Sequence, residues 1–363
     1  MALTFNPIPA SYRRLSDDEL TERIRRKKQA SGDKLVILTH HYQRKEVAAL
    51  GDYIGDSYAL SKIASELEAE IIVFCGVHFM AEAADILSTD KQTVYLPNPL
   101  AGCPMADMAA ITNVMHAWDQ LKELLPDTKI IPIAYMNTAA DLKAFCGRND
   151  GLICTSSNAT GAFRWGLERG DKVFFYPDEH LGRNTANKLA IPENEIAVWD
   201  YRLRRLGGNT PEKIKNAKVI IWKGYCHVHT TFTPEHVQRM REKFPDVKVV
   251  VHPECPQEVV KLADADGSTA FIVKYVEEAE PGATIAIGTE INLVDRLAHE
   301  NPDKKIMELS GNTCAMCVNM YRTTLNDLAW CLENLDDIRP IEVRPEIKEE
   351  ARLSLSRMLE VPR

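Results

Sequence analysis

Short runs rich in valine and isoleucine recur along the chain, and each run ends in polar or small residues. This pattern is typical of buried parallel strands that are followed by loops at their carboxyl ends. Three runs, at residues 35–38, 129–133 and 218–222, can be grouped as the first strands of three units. Counted from position 36 to 130 and on to 219, these runs are separated by 94 and 89 residues. The near-equal spacing predicts an internal repeat.

Each unit continues with a second and a third apolar run, and helical stretches such as 58–67 and 234–243 separate the runs. Strands that alternate with helices predict βαβαβ units with parallel sheets. The second runs are 71–74, 152–154 and 247–251, and the third runs are 93–96, 172–176 and 284–287. We therefore predict an α/β fold with three similar three-layer α/β/α domains. One continuous doubly wound sheet of about nine strands is the alternative.

The predicted domains span residues 1–107, 108–215 and 216–363. The first includes a helix that begins after Ser16, where an N-cap residue precedes three acidic residues. The last includes the C-terminal helices, which follow the final strands.

Charge and hydropathy narrow the classes of function. The chain of 363 residues carries 44 basic and 52 acidic side chains, giving a net charge of −8. It has no long basic run that would follow a phosphate backbone, so nucleic acid is not an expected partner. Neither a cationic, apolar leader nor an apolar run of membrane-spanning length occurs. We expect a cytoplasmic protein without a membrane anchor.

Polar side chains are concentrated directly after the predicted strands, where open α/β sheets bind ligands. If three carboxyl edges face one another, these segments line one central cavity. The segments begin at Thr39, Cys75, Pro97, Ala134, Thr155, Pro177, Gly224, His252 and Gly288.

The nine cysteines are not expected to form a disulfide framework, because the cytosol keeps thiols reduced. Three of them, Cys75, Cys154 and Cys331, lie in apolar strand-like or helical segments and are predicted to be structural. The single CxxC motif, Cys314 to Cys317, would suit zinc together with two histidines, or a redox pair. Neither reading explains the remaining polar-loop cysteines at positions 103 and 226. A cluster held by three distant cysteines, with one iron left open, would explain them.

Eleven motifs in order along the chain resemble those of the quinolinate synthase family, iron-sulfur enzymes that make the pyridine ring of NAD. The resemblance runs from about position 40 to position 328. Its motifs are His40-His-Tyr42, Gly51-Asp-Tyr-Ile-Gly-Asp-Ser57, Asn98-Pro-Leu-Ala-Gly-Cys103, Ala134-Tyr135-Met-Asn137, Thr155-Ser156-Ser-Asn158, Pro177-Asp-Glu-His-Leu-Gly-Arg183, Gly224-Tyr-Cys226-His227-Val-His229, His252-Pro-Glu254-Cys, Gly267-Ser268-Thr269, Gly288-Thr289-Glu290 and Cys317-Val-Asn-Met.

The resemblance implies three similar domains around a pseudo-threefold axis, with one cluster ligand from each domain. The implied ligands of a 4Fe-4S cluster with one open iron are Cys103, Cys226 and Cys317. By the predicted boundaries, however, Cys226 and Cys317 both fall in the third domain. Cys314 is either a redox-sensitive neighbour or an idle thiol.

The implied reaction condenses iminoaspartate with dihydroxyacetone phosphate and releases phosphate and two waters, with the open iron acting as a Lewis acid. Because iminoaspartate is a labile imine, L-aspartate oxidase or L-aspartate dehydrogenase is the expected functional partner. Two alternatives remain: another three-domain iron-sulfur dehydratase, and a non-catalytic zinc or redox switch.

Site roles also follow from the resemblance. Tyr42 is the candidate for proton transfer, His40 and His252 are candidate donors to substrate oxygens, and Glu254 is the candidate base. Substrate carboxylates and phosphate would be bound by neutral donors and by one of two histidines. These substrate-binding candidates are Ser57, Tyr135, Asn137, Ser156, His227, His229, Ser268, Thr269 and Thr289. Plain N-capping is the alternative role of the Ser268 segment.

Overall fold

A computed structural model describes residues 8–311 and 314–362 of the protein. The strands of this part of the chain are, in order, β1 (Leu35–His40), β2 (Tyr53–Gly55), β3 (Ile71–Cys75), β4 (Thr93–Tyr95), β5 (Ile130–Tyr135), β6 (Leu152–Cys154), β7 (Lys172–Tyr176), β8 (Ile196–Trp199), β9 (Val219–Trp222), β10 (Lys248–Val251), β11 (Ala265–Asp266), β12 (Thr284–Gly288) and β13 (Lys305–Glu308).

The α-helices of the same residues are α1 (Ala10–Arg13), α2 (Asp17–Ser31), α3 (Lys45–Ala48), α4 (Ser57–Glu66), α5 (His78–Leu87), α6 (Pro104–Asp107), α7 (Ile111–Leu124), α8 (Ala140–Arg148), α9 (Ala159–Arg169), α10 (Glu179–Lys188), α11 (Pro211–Asn216), α12 (Pro234–Lys243), α13 (Gln257–Leu262), α14 (Thr269–Glu278), α15 (Ile291–Glu300), α16 (Leu325–Glu333) and α17 (Pro345–Glu360). Among the described helices, none combines the length and the apolar composition needed to cross a membrane.

Three parallel sheets confirm the predicted α/β class. Their strand orders are β2-β1-β3-β4, β6-β5-β7-β9-β8 and β11-β10-β12-β13. Every residue of β5 and β7 is buried, which explains why these strands read as unbroken apolar runs. One continuous sheet is excluded, because no strand pair joins the three sheets within the described residues.

The grouping of residues 218–222 as the first strand of the third unit is wrong. This segment forms β9, which pairs in parallel with β7 and β8 in the middle sheet. A run of buried β-branched residues fits beside any parallel neighbour, so the pattern identifies a strand but leaves its partner open. The third sheet begins instead at β10. The predicted boundary between residues 215 and 216 would separate β9 from its sheet, and the exact domain boundaries stay predictions.

The N-terminal helix begins where its sequence signal predicted. Ser16 is the N-cap of α2, and its hydroxyl accepts a hydrogen bond from the backbone of Glu19 while the Glu19 carboxylate accepts one from the Ser16 backbone. This reciprocal pair is a capping box, and it satisfies two backbone donors that the helix itself leaves free.

The C-terminal helix α17 packs along α8, and Gly147 allows the close approach. A Cβ at position 147 would lie 1.9 Å from the backbone oxygen of Glu350, a contact that no rotamer change can relieve. Alanine normally favours a helix over glycine by about 1 kcal/mol. At this position the backbone clash outweighs that gain.

We expect Gly147→Ala to lower the free energy of unfolding by about 1–3 kcal/mol, the usual cost of overpacking. Chemical denaturation measures this change. Gly102→Ala is the matched control, because a Cβ there meets no atom within 4 Å. An unchanged stability for Gly147→Ala would contradict the proposed tight α8–α17 contact.

Candidate functional site

The predicted site residues, except Ser268 and Thr289, line one cavity that receives segments from all three sheets. Its sequence-predicted lining residues are His40, Tyr42, Ser57, Cys103, Tyr135, Asn137, Ser156, Cys226, His227, His229, His252, Glu254, Thr269 and Cys317. Seven of the nine post-strand segments contribute to this wall, so the carboxyl ends of the parallel strands converge there, whereas the segments that begin at Pro177 and Gly288 do not line it.

A buried hydrogen-bond network begins at Glu254, a residue that is only 3% exposed. The phenol of Tyr135 donates to Glu254 Oε1, and His229 Nδ1 lies 2.8 Å from Glu254 Oε2. On the other side of the imidazole, His229 Nε2 lies 3.1 Å from Thr289 Oγ1. The hydroxyl of Thr289 in turn lies 2.8 Å from the phenol oxygen of Tyr42. Glu254 and Tyr42 are thus connected through two intermediate side chains.

One assignment of donors satisfies every bond in this network. If Glu254 is ionised, it accepts from the Nδ1–H group of His229, and His229 Nε2 then accepts from Thr289. Thr289 Oγ1 accepts from the phenol of Tyr42, whose oxygen also accepts from Thr269 Oγ1 at 3.1 Å. The direction of donation therefore runs from Tyr42 towards Glu254.

The electrostatics of the network favour a carboxylate at one end and a phenol at the other. Burial opposes ionisation of Glu254, but the neighbouring His229 and His252 and the hydrogen bonds from His229 and Tyr135 keep its pKa below the ordinary value. Burial raises the pKa of Tyr42 well above its ordinary value, so the phenol keeps its proton at neutral pH. A proton acceptor and a proton donor are therefore present together in one cavity.

The two predicted histidine donors are buried and neutral. Burial lowers the pKa of His40 and of His252 to about 3, with smaller contributions from neighbouring histidines and from Arg296 and Lys188, respectively. His252 lies in the turn after β10, where its Nδ1 accepts from the backbone N–H of Glu254 at 3.3 Å. Its Nε2 lies 3.1 Å from Ser156 Oγ, and its ring stacks on His229 with centroids 4.4 Å apart. A neutral imidazole here donates through Nε2 towards the cavity side.

The structure gives His227 and His229 different environments. His229 is 2% exposed and bonded on both nitrogens, whereas His227 Nε2 is buried without a hydrogen-bond partner among the described residues. Asn137 Oδ1 is likewise buried and unpartnered within that part of the chain. Both residues line the cavity. Because unpartnered buried polar atoms are costly, these two atoms mark places where a bound ligand could supply the missing partner.

Two predicted substrate-binding residues lie outside the cavity wall. Thr289 acts within the network behind the wall, as described above. Ser268 is the N-cap of α14 and accepts a hydrogen bond from the backbone of Phe271 at 3.3 Å, which is the capping role that the sequence left open. It lines a neighbouring cavity that also reaches Ser156.

Each sheet contributes one cysteine to the cavity. In each sheet, that cysteine follows the strand that is fourth in the strand order given above. Cys103 follows β4, Cys226 follows β9 and Cys317 follows β13. The reassignment of β9 therefore associates Cys226 with the middle sheet and gives one cysteine per sheet. Cys314, by contrast, is exposed and is not among the residues that line the cavity.

The chemistry of the three cavity thiols suits a bound cation or cluster. All nine cysteines are free thiols. Burial raises the pKa of Cys103 to about 12 and that of Cys317 to about 11, and it raises the pKa of Cys226 well above the ordinary value. Cys317 raises the pKa of the other two further. Positive charge from a metal would stabilise the thiolate forms that burial and mutual repulsion disfavour.

A smaller donor set overlaps this group. Ligand atoms of Cys226, His229 and Glu254 lie within 4.8 Å of one another and could hold a single metal ion. The backbone N–H of the third cavity cysteine, Cys317, donates to Glu290 Oε1 at 3.1 Å, which ties its loop to the start of α15.

Sequence reasoning missed the apolar part of the wall and one acidic residue. Asp56 lines the cavity, caps α4 by accepting from Ala59 at 2.8 Å, and accepts from Ser157 Oγ at 2.7 Å. Its position beside Ser57 in a family motif was the available signal. The apolar lining residues are Val77, Phe79, Met80, Met105, Val228 and Met320.

Comparison with known proteins places this site in a family. The sequence model of the family described as Quinolinate synthetase A protein matches residues 22–360. A protein of Corynebacterium glutamicum named quinolinate synthase is 50% identical, over 98% of this chain and 90% of its own length. Proteins of the same name are 48% identical in Rhodopirellula baltica, over 96% of this chain and 93% of the relative, and in Haloarcula marismortui, over 98% and 95%. The chain therefore belongs to the quinolinate synthase family.

Proposed function

We propose that the protein condenses iminoaspartate with dihydroxyacetone phosphate to form quinolinate, phosphate and two waters. The observation that carries this proposal is the connected pair of Glu254 and Tyr42 in a cavity that also receives three cysteines. Ring closure requires removal of protons from carbon and protonation of departing oxygens, so a base and an acid are needed in one site. The family membership supports the same reaction.

A 4Fe-4S cluster would be held by Cys103, Cys226 and Cys317. Each sheet would supply one of these thiolates, from the loop that follows the fourth strand in its strand order. When bound, the cluster supplies a Lewis acid at its open iron. The remaining chemistry belongs to the side chains of the protein.

Glu254 is the base that takes a proton from a substrate carbon, because its carboxylate is ionised and close to the cavity. Tyr42 returns a proton to a departing hydroxyl, since its phenol is protonated. His229 and Thr289 lie between them, and their hydrogen bonds hold the carboxylate and the phenol in the ionised and protonated forms that these two steps need.

Neutral donors bind the anionic substrates. Ser57, Asn137, Ser156 and Thr269 line the cavity and can donate to carboxylate or phosphate oxygens without a permanent charge. Thr269 also begins helix α14, whose free backbone N–H groups favour an anion. Apolar side chains, among them Phe79, limit the access of water to the reactive imine.

The decisive experiment uses protein purified without oxygen and an enzyme that generates iminoaspartate, namely L-aspartate oxidase or L-aspartate dehydrogenase. Formation of quinolinate with dihydroxyacetone phosphate, measured by chromatography, is the expected result. A protein with intact cluster but no quinolinate would instead support another iron-sulfur dehydratase. About one zinc per chain with no sulfide and no product would favour a zinc or redox switch, for which Cys226, His229 and Glu254 offer a ligand set.

A further inference from the structure

Lys143 is a fully buried lysine on helix α8, with none of its surface exposed. Lysine is almost never fully buried unless it is paired with an opposite charge. Within the described residues, however, no carboxylate lies at ion-pair distance from Lys143, and its one hydrogen bond is donated by Nζ to the backbone oxygen of Thr138. The ammonium group is therefore held by one hydrogen bond and by no ion pair in this part of the chain, although the carboxylates of Glu82 and Asp141 lie near enough to influence it.

The position of this ammonium relates it to the candidate site. Its Nζ lies 5.6 Å from the centre of the Phe79 ring, and Phe79 lines the cavity. Thr138, whose carbonyl accepts from Nζ, directly follows Asn137, another cavity residue. Lys143 thus lies behind the cavity wall.

Lys143 retains its charge at neutral pH. Burial lowers its pKa to about 8, while the nearby carboxylates of Glu82 and Asp141 and the thiols of Cys146 and Cys103 oppose that shift. In a medium of low dielectric constant, such a charge affects anions that it does not touch.

We propose that Lys143 is a positioning residue whose positive charge, located behind the Phe79 ring of the cavity wall, attracts dianionic ligands into the cavity. The inference rests on the proposed function, whose product and substrates carry two negative charges each. At an effective dielectric constant of about 20, one charge at about 10 Å changes the affinity for each ligand charge on the order of tenfold. The contribution should therefore increase with the number of carboxylates on the ligand.

The test compares the binding of quinolinate, which has two carboxylates, with that of picolinate, which has the same ring and one carboxylate. Calorimetry on the oxygen-free holoenzyme gives both dissociation constants for the wild type, Lys143→Met and Lys143→Gln. Glutamine keeps a hydrogen-bond donor for Thr138 but removes the charge, and it carries the test if the methionine variant does not fold. We expect quinolinate to bind about 100-fold more weakly and picolinate about tenfold more weakly in both variants.

Equal losses for both ligands would overturn the proposal, because a purely structural defect does not distinguish ligand charge. Unchanged affinities would overturn it as well. Lys172→Met is the matched control, since Lys172 is 8% exposed and its Nζ donates to two carbonyls, those of Lys215 at 2.7 Å and Ala217 at 2.5 Å. Lys172 begins β7, at the end of the sheet opposite to the cavity. The Lys172→Met variant should therefore bind quinolinate and picolinate as tightly as the wild type does.

The outcomes separate this inference from the function on which it rests. A wild-type holoenzyme that neither forms nor binds quinolinate would overturn the proposed function. A wild type that forms and binds quinolinate, with Lys143 variants that bind it equally well, would overturn the role of Lys143 alone.

Discussion

Replacing Glu254 by glutamine should lower the rate of quinolinate formation by about 10²- to 10⁴-fold, the usual contribution of a general base. Glutamine has nearly the same shape and keeps an acceptor for Tyr135 or His229, but it does not take a proton at neutral pH. The fold should therefore persist while the proton-transfer step fails. Single-turnover measurement of quinolinate without oxygen tests this expectation, and the melting temperature reports the fold.

Glu308→Gln is a matched control for this substitution. Glu308 is also a mostly buried carboxylate, at 9% exposure, but it ends β13 and accepts from Ser310 Oγ at 2.7 Å, without lining the cavity. Its rate should stay within about twofold of the wild type, as for most substitutions away from a site. If Glu254→Gln forms quinolinate as fast as this control, Glu254 is not the base.

The strands that the sequence predicted well are the long, fully apolar ones. β5 and β7 are buried on both faces, so every position carries the signal. β2 and β11 are only three and two residues long, and β2 exposes Tyr53 and Ile54 at the sheet edge. Such short edge strands contain too few buried positions to establish a pattern. The partner of β9 was also missed, because pairing depends on long-range packing that an apolar run does not encode.

The candidate site was predictable as a set of residues but not as a set of contacts. Motifs named both Tyr42 and Thr289, yet 247 residues separate these hydrogen-bonded side chains. Their contact depends on how the first and third sheets face each other, which no local pattern specifies. Lys143 could not be predicted even as a residue of interest. A lysine within a helical segment usually lies at the surface, and only the packing of α8 shows that this one is buried.

Replacing any one of Cys103, Cys226 and Cys317 by serine should remove the cluster and lower quinolinate formation by at least about 100-fold, since three thiolates hold the proposed cluster. Cys314→Ser is the matched control, because this exposed thiol lies in the same CxxC but outside the cavity wall. It should retain iron, sulfide and activity. Iron and sulfide analysis of oxygen-free protein, with the visible absorption spectrum, measures the loss.

The pattern among the three cysteine variants distinguishes a cluster from a single metal ion. A lone ion held by Cys226, His229 and Glu254 would depend on Cys226 but would be retained in Cys103→Ser and Cys317→Ser, which supply none of its ligands. A cluster bridging the three sheets requires all three thiolates, so each variant should lose it to a similar extent. Metal retained in two variants and lost only in Cys226→Ser would therefore replace the cluster by a mononuclear site, even though all three thiols line the same cavity.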